Sequence, residues 1–154
     1  MTTFIYEDTF FLLGVDGVVI LFDQFNLSDN IYETIFATEQ QAIVAKLLVD
    51  YMKSNDNTIS RTEMSVFATR LHEGQITTII DSGTYKGREV RLSYNKRQFY
   101  DRILTPMKSM GLVDYDMYKK TYRLTDKFRQ ILMKIGIQWT KELERPLGSF
   151  TLKK

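Results

Sequence analysis

Two short stretches of this 154-residue chain hold the side chains best suited to gripping a polyanion. Tyr94, Asn95, Lys96, Arg97, Gln98 and Arg102 stand close together, and a few residues later come Tyr118, Lys119 and Lys120. The guanidinium groups of Arg97 and Arg102 offer a planar fork to a guanine edge or a phosphate, and the amides of Asn95 and Gln98 match N6 and N7 of adenine. Tyr94, Lys96, Lys119 and Lys120 suit phosphate oxygens, with Arg61 and Arg88 as weaker candidates. Residues 1–85 carry a net charge of −8, residues 86–134 a net +8 and residues 135–154 a net +2, so the modest overall +2 hides a strongly basic segment. Lys and Arg gathered in this way gain affinity for phosphates by displacing counterions; a merely solvated basic face is the plain alternative.

Other chemistries find little support. The chain has no cysteine, which removes disulfides, thiolate zinc sites and thiol nucleophiles together, and His72 is its only histidine. The glycines form neither a dinucleotide-binding nor a P-loop pattern. Asp114 and Asp116 share one face if they lie on a strand, a spacing that a divalent ion with a third ligand can use, but a solvated strand face explains them more simply. No enzyme activity, metal or cofactor is expected. His72, placed near a helix end, is read as a partner of the helix dipole.

The elements that must position the basic side chains follow from spacing. Thr38 with Gln41 forms a capping-box pattern ahead of Ile43, Val44, Leu47, Leu48 and Tyr51, a first helix. Asn55 to Asn57 make a turn, and Thr58-Ile59 suit a brief strand. Ser60 with Glu63 starts a second helix carrying Met64, Phe67, Ala68 and Leu71, ending near His72. Ser93 is the expected N-cap of a third, whose buried face is Phe99, Ile103, Met107 and Met110 and whose stop is Gly111. On that helix Tyr94, Arg97, Gln98, Asp101, Thr105 and Lys108 are expected to face outward, with Asn95, Arg102 and Lys96 on the flanks. Pro106 falls on the buried side, where it is expected to kink the helix. Leu112, Val113 and Tyr115 before a turn at 116–119, and Tyr122 and Leu124 after it, alternate as a two-stranded hairpin should, with Tyr118, Lys119 and Lys120 at its tip.

A helix with a basic, amide-bearing exposed end, then Gly111-Leu112-Val113, then a basic-tipped hairpin closing on Tyr122-Arg123-Leu124-Thr125, resembles the recognition helix and wing of winged helix-turn-helix proteins. The resemblance spans roughly residues 38–135. It implies an α+β fold, a helix that enters the major groove of double-stranded DNA, and a wing on the backbone or minor groove. The chain departs from that family between its second and third helices. There Ile76, Thr77, Thr78, Ile79 and Ile80, a Ser82-Gly83 turn, and Val90 and Leu92 read as an inserted hairpin.

The flanks complete the organisation. Residues 1–37 are an extension in which Asp16-Gly17, between two apolar runs over residues 9–23, marks a hairpin that either joins the core or pairs across a homodimer. The run is too short to span a bilayer and lacks a basic leader, so neither a membrane anchor nor a signal peptide is expected. Asn26 to Ile35 form a short helix or a loop. Thr125 caps a last helix with Phe128, Ile131, Leu132, Ile135 and Trp139 on one stripe, and residues 136–154 are its end and a frayed tail. In winged-helix regulators such terminal helices often pair two subunits, though packing back on its own domain is equally open. The expectation from the whole is a cytoplasmic, nucleoid-associated homodimer that binds DNA and regulates transcription. A winged-helix module for protein partners, or a component of a replication or segregation complex, is the alternative.

Overall fold

The computed structural model describes residues 22–80 and 86–153. Most of the expected 9–23 hairpin and the expected Ser82-Gly83 turn lie outside them. Among the described residues the chain is α+β: α1 (Ile31–Ile35), α2 (Glu39–Lys53), β1 (Thr58–Ser60), α3 (Arg61–His72), β2 (Ile76–Ile79) and β3 (Glu89–Leu92) come first. A helix follows in three continuous pieces, α4 (Lys96–Phe99), a π-helical turn (Tyr100–Leu104) and α5 (Thr105–Met110). Then come β4 (Val113–Asp116), β5 (Thr121–Leu124) and α6 (Lys127–Glu144).

Local rules account for the starts of the first helices. The Thr38 hydroxyl accepts from Gln41 N–H at 3.1 Å, and the Ser60–Glu63 capping box is complete in both directions, at 3.0 and 3.3 Å. The buried face of α3 is Met64, Phe67, Ala68 and Leu71, as spaced in the sequence. On α2 the buried set is Ala42, Val44, Ala45, Leu48, Val49 and Met52, while Ile43, Leu47 and Tyr51 pack half-buried at its side. Helix α2 is thus covered on more of its circumference than a single stripe predicts.

Strands β1, β5 and β4 form a three-stranded antiparallel sheet with β5 in the middle, Ile59 opposite Tyr122 and Tyr115 opposite Tyr122 on the other side. β2 and β3 pair separately, with Ile76 opposite Leu92. One core joins α2, α3, the α4–α5 helix and both sheets. Phe99 lies at its centre, fully buried, with ring contacts to Phe67 and Tyr100 at 5.6 Å each.

Two sequence expectations need correction here, the start of the third helix and the direction of Tyr94. The third helix begins at Lys96 and not after Ser93, because Asn95 supplies the cap by accepting from Gln98 N–H at 3.1 Å. Tyr94, expected outward, is buried, since its N–H donates to Leu71 O at 3.1 Å and holds the chain extended with the ring turned into the core. Pro106 marks an irregularity, and the helix continues through it. The preceding turn widens so that Thr105 N–H donates to Tyr100 O, which relieves the crowding a proline ring meets at the carbonyl four residues back. The wider turn brings Leu104 into the core beside Ile103 and Met107, while Met110 stays half-exposed.

Gly111 joins the α4–α5 helix to α6. Its φ of +84° ends α5 in the left-handed region, and its carbonyl accepts from Phe128 N–H and the Thr125 hydroxyl, both at 3.0 Å. A Cβ there would lie 2.9 Å from Lys127 Cβ. Beyond that first turn α6 leaves the core, and none of its residues is buried.

Candidate nucleic-acid interface

α3 is the rail on which the basic side chains are mounted. Arg61, Ser65 and Thr69 recur every four residues, with His72 three further on, so one polar stripe runs the length of the helix. At its start, Arg61 N–H donates to Lys120 O at 2.9 Å and fixes the end of the β4–β5 turn. Further along, Lys96 Nζ donates to Thr69 Oγ1 at 2.9 Å and to Ser65 Oγ at 3.2 Å. His72 Nδ1 accepts from Lys96 N–H at 3.0 Å. The start of α4 and the tip of the hairpin are therefore set against the same helix, roughly 12 Å apart at 1.5 Å per residue.

These bonds divide the expected contact residues. Tyr94 is 7% exposed and belongs to the core, so it cannot clamp a phosphate as the sequence suggested. Asn95 gives its side-chain oxygen to the helix cap. The Lys96 ammonium is engaged by two hydroxyls of α3 and positions α4. Arg97 and Gln98 are exposed, as expected, and so is Arg102, expected on the flank. The Arg97 side chain is 91% exposed, and its one ionic neighbour among the described residues, Asp101, is 3.8 Å away on the same helix, a contact that restrains it little in water.

The hairpin tip is ordered by one carboxylate. Asp116 Oδ1 accepts from Tyr118 N–H at 2.9 Å and Lys119 N–H at 3.0 Å, and Lys120 takes a left-handed φ of +53°. The Lys119 N–H bond, chiefly, holds the Asp116 carboxyl below the usual carboxylate range. Tyr118 projects from this turn 99% exposed, with Met117, Lys119 and Lys120 also in solvent. No family model, curated protein or solved structure matches this chain. What the surface can do is set by its own side chains.

On the outer face of the sheet, Asp114 meets Lys127 Nζ at 2.6 Å and Arg123 at 3.8 Å. Asp114 and Asp116, considered as an ion site from the sequence, thus face cations and backbone donors, and no group of three metal-ligating side chains occurs among the described residues. Burial raises the hydroxyl pKa of Tyr100 and of Tyr122, the latter held down in part by Arg61. Both stay uncharged hydroxyls beside the basic stripe at neutral pH. Sequence reading passed over Ser65 and Thr69, although their spacing of four was visible. It took His72 for a dipole partner, whereas its ring nitrogen accepts the first N–H of α4. Arg88 is exposed in the β2–β3 connection, and no bond among the described residues ties it to this surface. Among the described residues no helix is long and apolar enough to cross a membrane.

Proposed function

We propose that this chain is a winged helix-turn-helix protein that binds double-stranded DNA in a sequence-specific way, as a homodimeric transcriptional regulator at the nucleoid in the cytoplasm. The observation that carries this reading is the exposed, largely unneutralised set Arg97, Arg102, Lys119 and Lys120, carried by two elements that hydrogen-bond to one polar helix stripe through Lys96 and the Lys120 carbonyl, within a segment of net charge +8. In this reading the α4–α5 helix enters the major groove and β4–β5 is the wing. Arg97, Gln98 and Arg102 read base edges, while Lys119, Lys120, Tyr118 and Arg61 hold the backbone and fix register. Lys96 and Asn95 position the helix. Loss of a base reader costs about 1–3 kcal/mol and relaxes specificity, whereas loss of a phosphate contact weakens all sequences alike. A dimer with two such surfaces selects half-sites about one helical turn apart.

Titration into labelled random-sequence duplex by fluorescence anisotropy, repeated over a range of salt, tests the reading. With about four phosphates neutralised, log affinity falls against log salt with a slope of roughly −4. Absence of duplex binding at low salt would overturn it. A second reading, a winged-helix module for a protein partner such as a replication or segregation complex, is favoured by the apolar side chains that α6 leaves in solvent. An obligate hetero-oligomer without duplex affinity would select it.

A further inference from the structure

The β4–β5 hairpin carries three tyrosines and uses them in two ways. At its base Tyr115 and Tyr122 pack ring against ring at 4.6 Å. At its tip the Tyr118 side chain touches nothing: it is 99% exposed, the one fully solvated tyrosine among the described residues, with Met117 exposed beside it. The turn itself needs neither side chain. Its bonds are those of the Asp116 carboxylate with Tyr118 N–H and Lys119 N–H, and of Lys120 O with Arg61 N–H. These pin the turn at both ends, so the ring is presented from a fixed backbone. Lys120 holds a left-handed φ of +53° that glycine or asparagine adopts at less cost, which keeps a cation at the tip where turn geometry alone asks for none.

We infer that Tyr118, with Met117, is a stacking wedge for a nucleobase, so that the preferred substrate of this surface is double-stranded DNA with an unpaired base or an easily opened step. The inference rests on the DNA-binding reading and names the kind of duplex that reading leaves open. Charge selects the ligand class. The ring stands beside the exposed side chains of Lys119 and Lys120, while Asp116, the one anion of the turn, gives Oδ1 to backbone N–H groups. A ligand that satisfies cations and a flat apolar ring side by side offers phosphates and planar faces together, as a nucleic acid does. Geometry selects the position. The start of α4 and the hairpin tip are set roughly 12 Å apart along α3, about the width of the major groove, so a helix seated in that groove leaves the tip at its edge. With Lys119 and Lys120 on phosphates there, the ring is in reach of the adjoining base pairs. Holding a phosphate uses only the Tyr118 hydroxyl. The ring face can replace a neighbour in the base stack wherever that stack is broken or opens cheaply. A lipid surface fits less well, because no large apolar side chain is exposed between Lys96 and Met110, where the second basic element would have to seat in it.

The test titrates the full chain, at fixed salt, into two labelled duplexes of one sequence, one fully paired and one carrying a single unpaired adenine. The unmodified chain should bind the second at least about 10-fold more tightly. Tyr118→Ala should abolish that preference and change affinity for the paired duplex by less than about 3-fold, whereas Tyr118→Phe, which keeps the ring and loses the hydroxyl, should retain it. Neither substitution changes the charge, so the salt slope should stay as it is, and far-UV circular dichroism should be unaltered because the ring has no contacts to lose. Changing Lys119 and Lys120 to Ala should weaken binding to both duplexes alike and keep the preference. Equal affinity for the two duplexes would overturn the wedge while leaving DNA binding in place. So would a preference that survives Tyr118→Ala, or one lost as fully in Tyr118→Phe. No affinity for either duplex at low salt would overturn both, and Tyr118-dependent binding to phosphatidylserine vesicles in its place would assign the tip to lipid.

Discussion

α3 and α6 carry the same kind of message and meet different fates. Each has an amphipathic stripe at helical spacing, yet all four apolar residues of the α3 stripe are buried and none on α6 is. Between β1 and β5 on one side and the α4–α5 helix on the other, the Met64, Phe67, Ala68 and Leu71 face of α3 is covered, with Val66 left exposed beside it, and its polar stripe holds the start of α4 and the end of the β4–β5 turn. α6 is attached by its first turn only. Amphipathicity states that a face is to be covered; it does not state by what.

The widest separation between the two regions should appear on truncating an aromatic in each. Phe99→Ala, in the centre of the core against α3, lowers stability by about 3–5 kcal/mol. Trp139→Ala on α6, whose side chain is exposed, lowers it by less than about 0.5 kcal/mol in dilute solution. Comparable losses at high dilution would mean that α6 belongs to the monomer core after all.

The junction between the regions is the next most sensitive place. Gly111→Ala combines a left-handed φ with a Cβ 2.9 Å from Lys127 Cβ, and should cost about 2–3 kcal/mol in urea unfolding. A cost near zero would show that α6 can re-aim freely, and with it that its direction is not fixed. On the polar stripe of α3, His72→Phe removes the acceptor of Lys96 N–H at the start of α4 and should cost about 0.5–1.5 kcal/mol, with faster amide exchange at Lys96. Unchanged exchange there would separate His72 from the positioning of α4.

The smallest effect is confined to the hairpin tip and is a matter of pH. The Asp116 carboxyl has a folded pKa below its unfolded value, so its contribution is present above the ordinary carboxylate range and is lost as pH falls through the folded pKa. Amide protection at Tyr118 and Lys119 should fall in acid beyond the intrinsic exchange trend. Asp116→Asn keeps an acceptor oxygen and should remove that pH dependence. If the variant retains it, another group orders the tip.

The contrast also explains what could be read from the sequence. The α3 stripe, the Ser60–Glu63 box and Gly111 as a stop were legible because each depends on neighbours a few residues apart, and the β2–β3 pairing because each strand alternates in its own sequence. Tyr94 was misread because a bond to Leu71, 23 positions earlier, decides its direction. Asn95 displaced Ser93 as the cap for the same reason: the chain stays extended through Tyr94 and turns helical only afterwards. Pro106 announced an irregularity without its form, and the π-helical turn brings in Leu104, which the expected stripe of Phe99, Ile103, Met107 and Met110 did not include. Of the candidate contact residues, Arg97, Gln98, Arg102, Tyr118, Lys119 and Lys120 are exposed, whereas Lys96 and Asn95 are committed to helix placement. Such commitments arise from tertiary partners that spacing alone does not reveal.

The most direct measurement compares duplex binding of two charge-matched variants across a salt series. One changes Arg97, Lys119 and Lys120 to Ala, and the other changes Lys53, Lys134 and Lys141, exposed but away from the α3 stripe. The account predicts that the first variant loses at least about 100-fold in affinity and that its salt slope becomes shallower by about 3, with little change in the second. Equal losses in the two, or an unmodified chain that does not bind duplex at low salt, would contradict it.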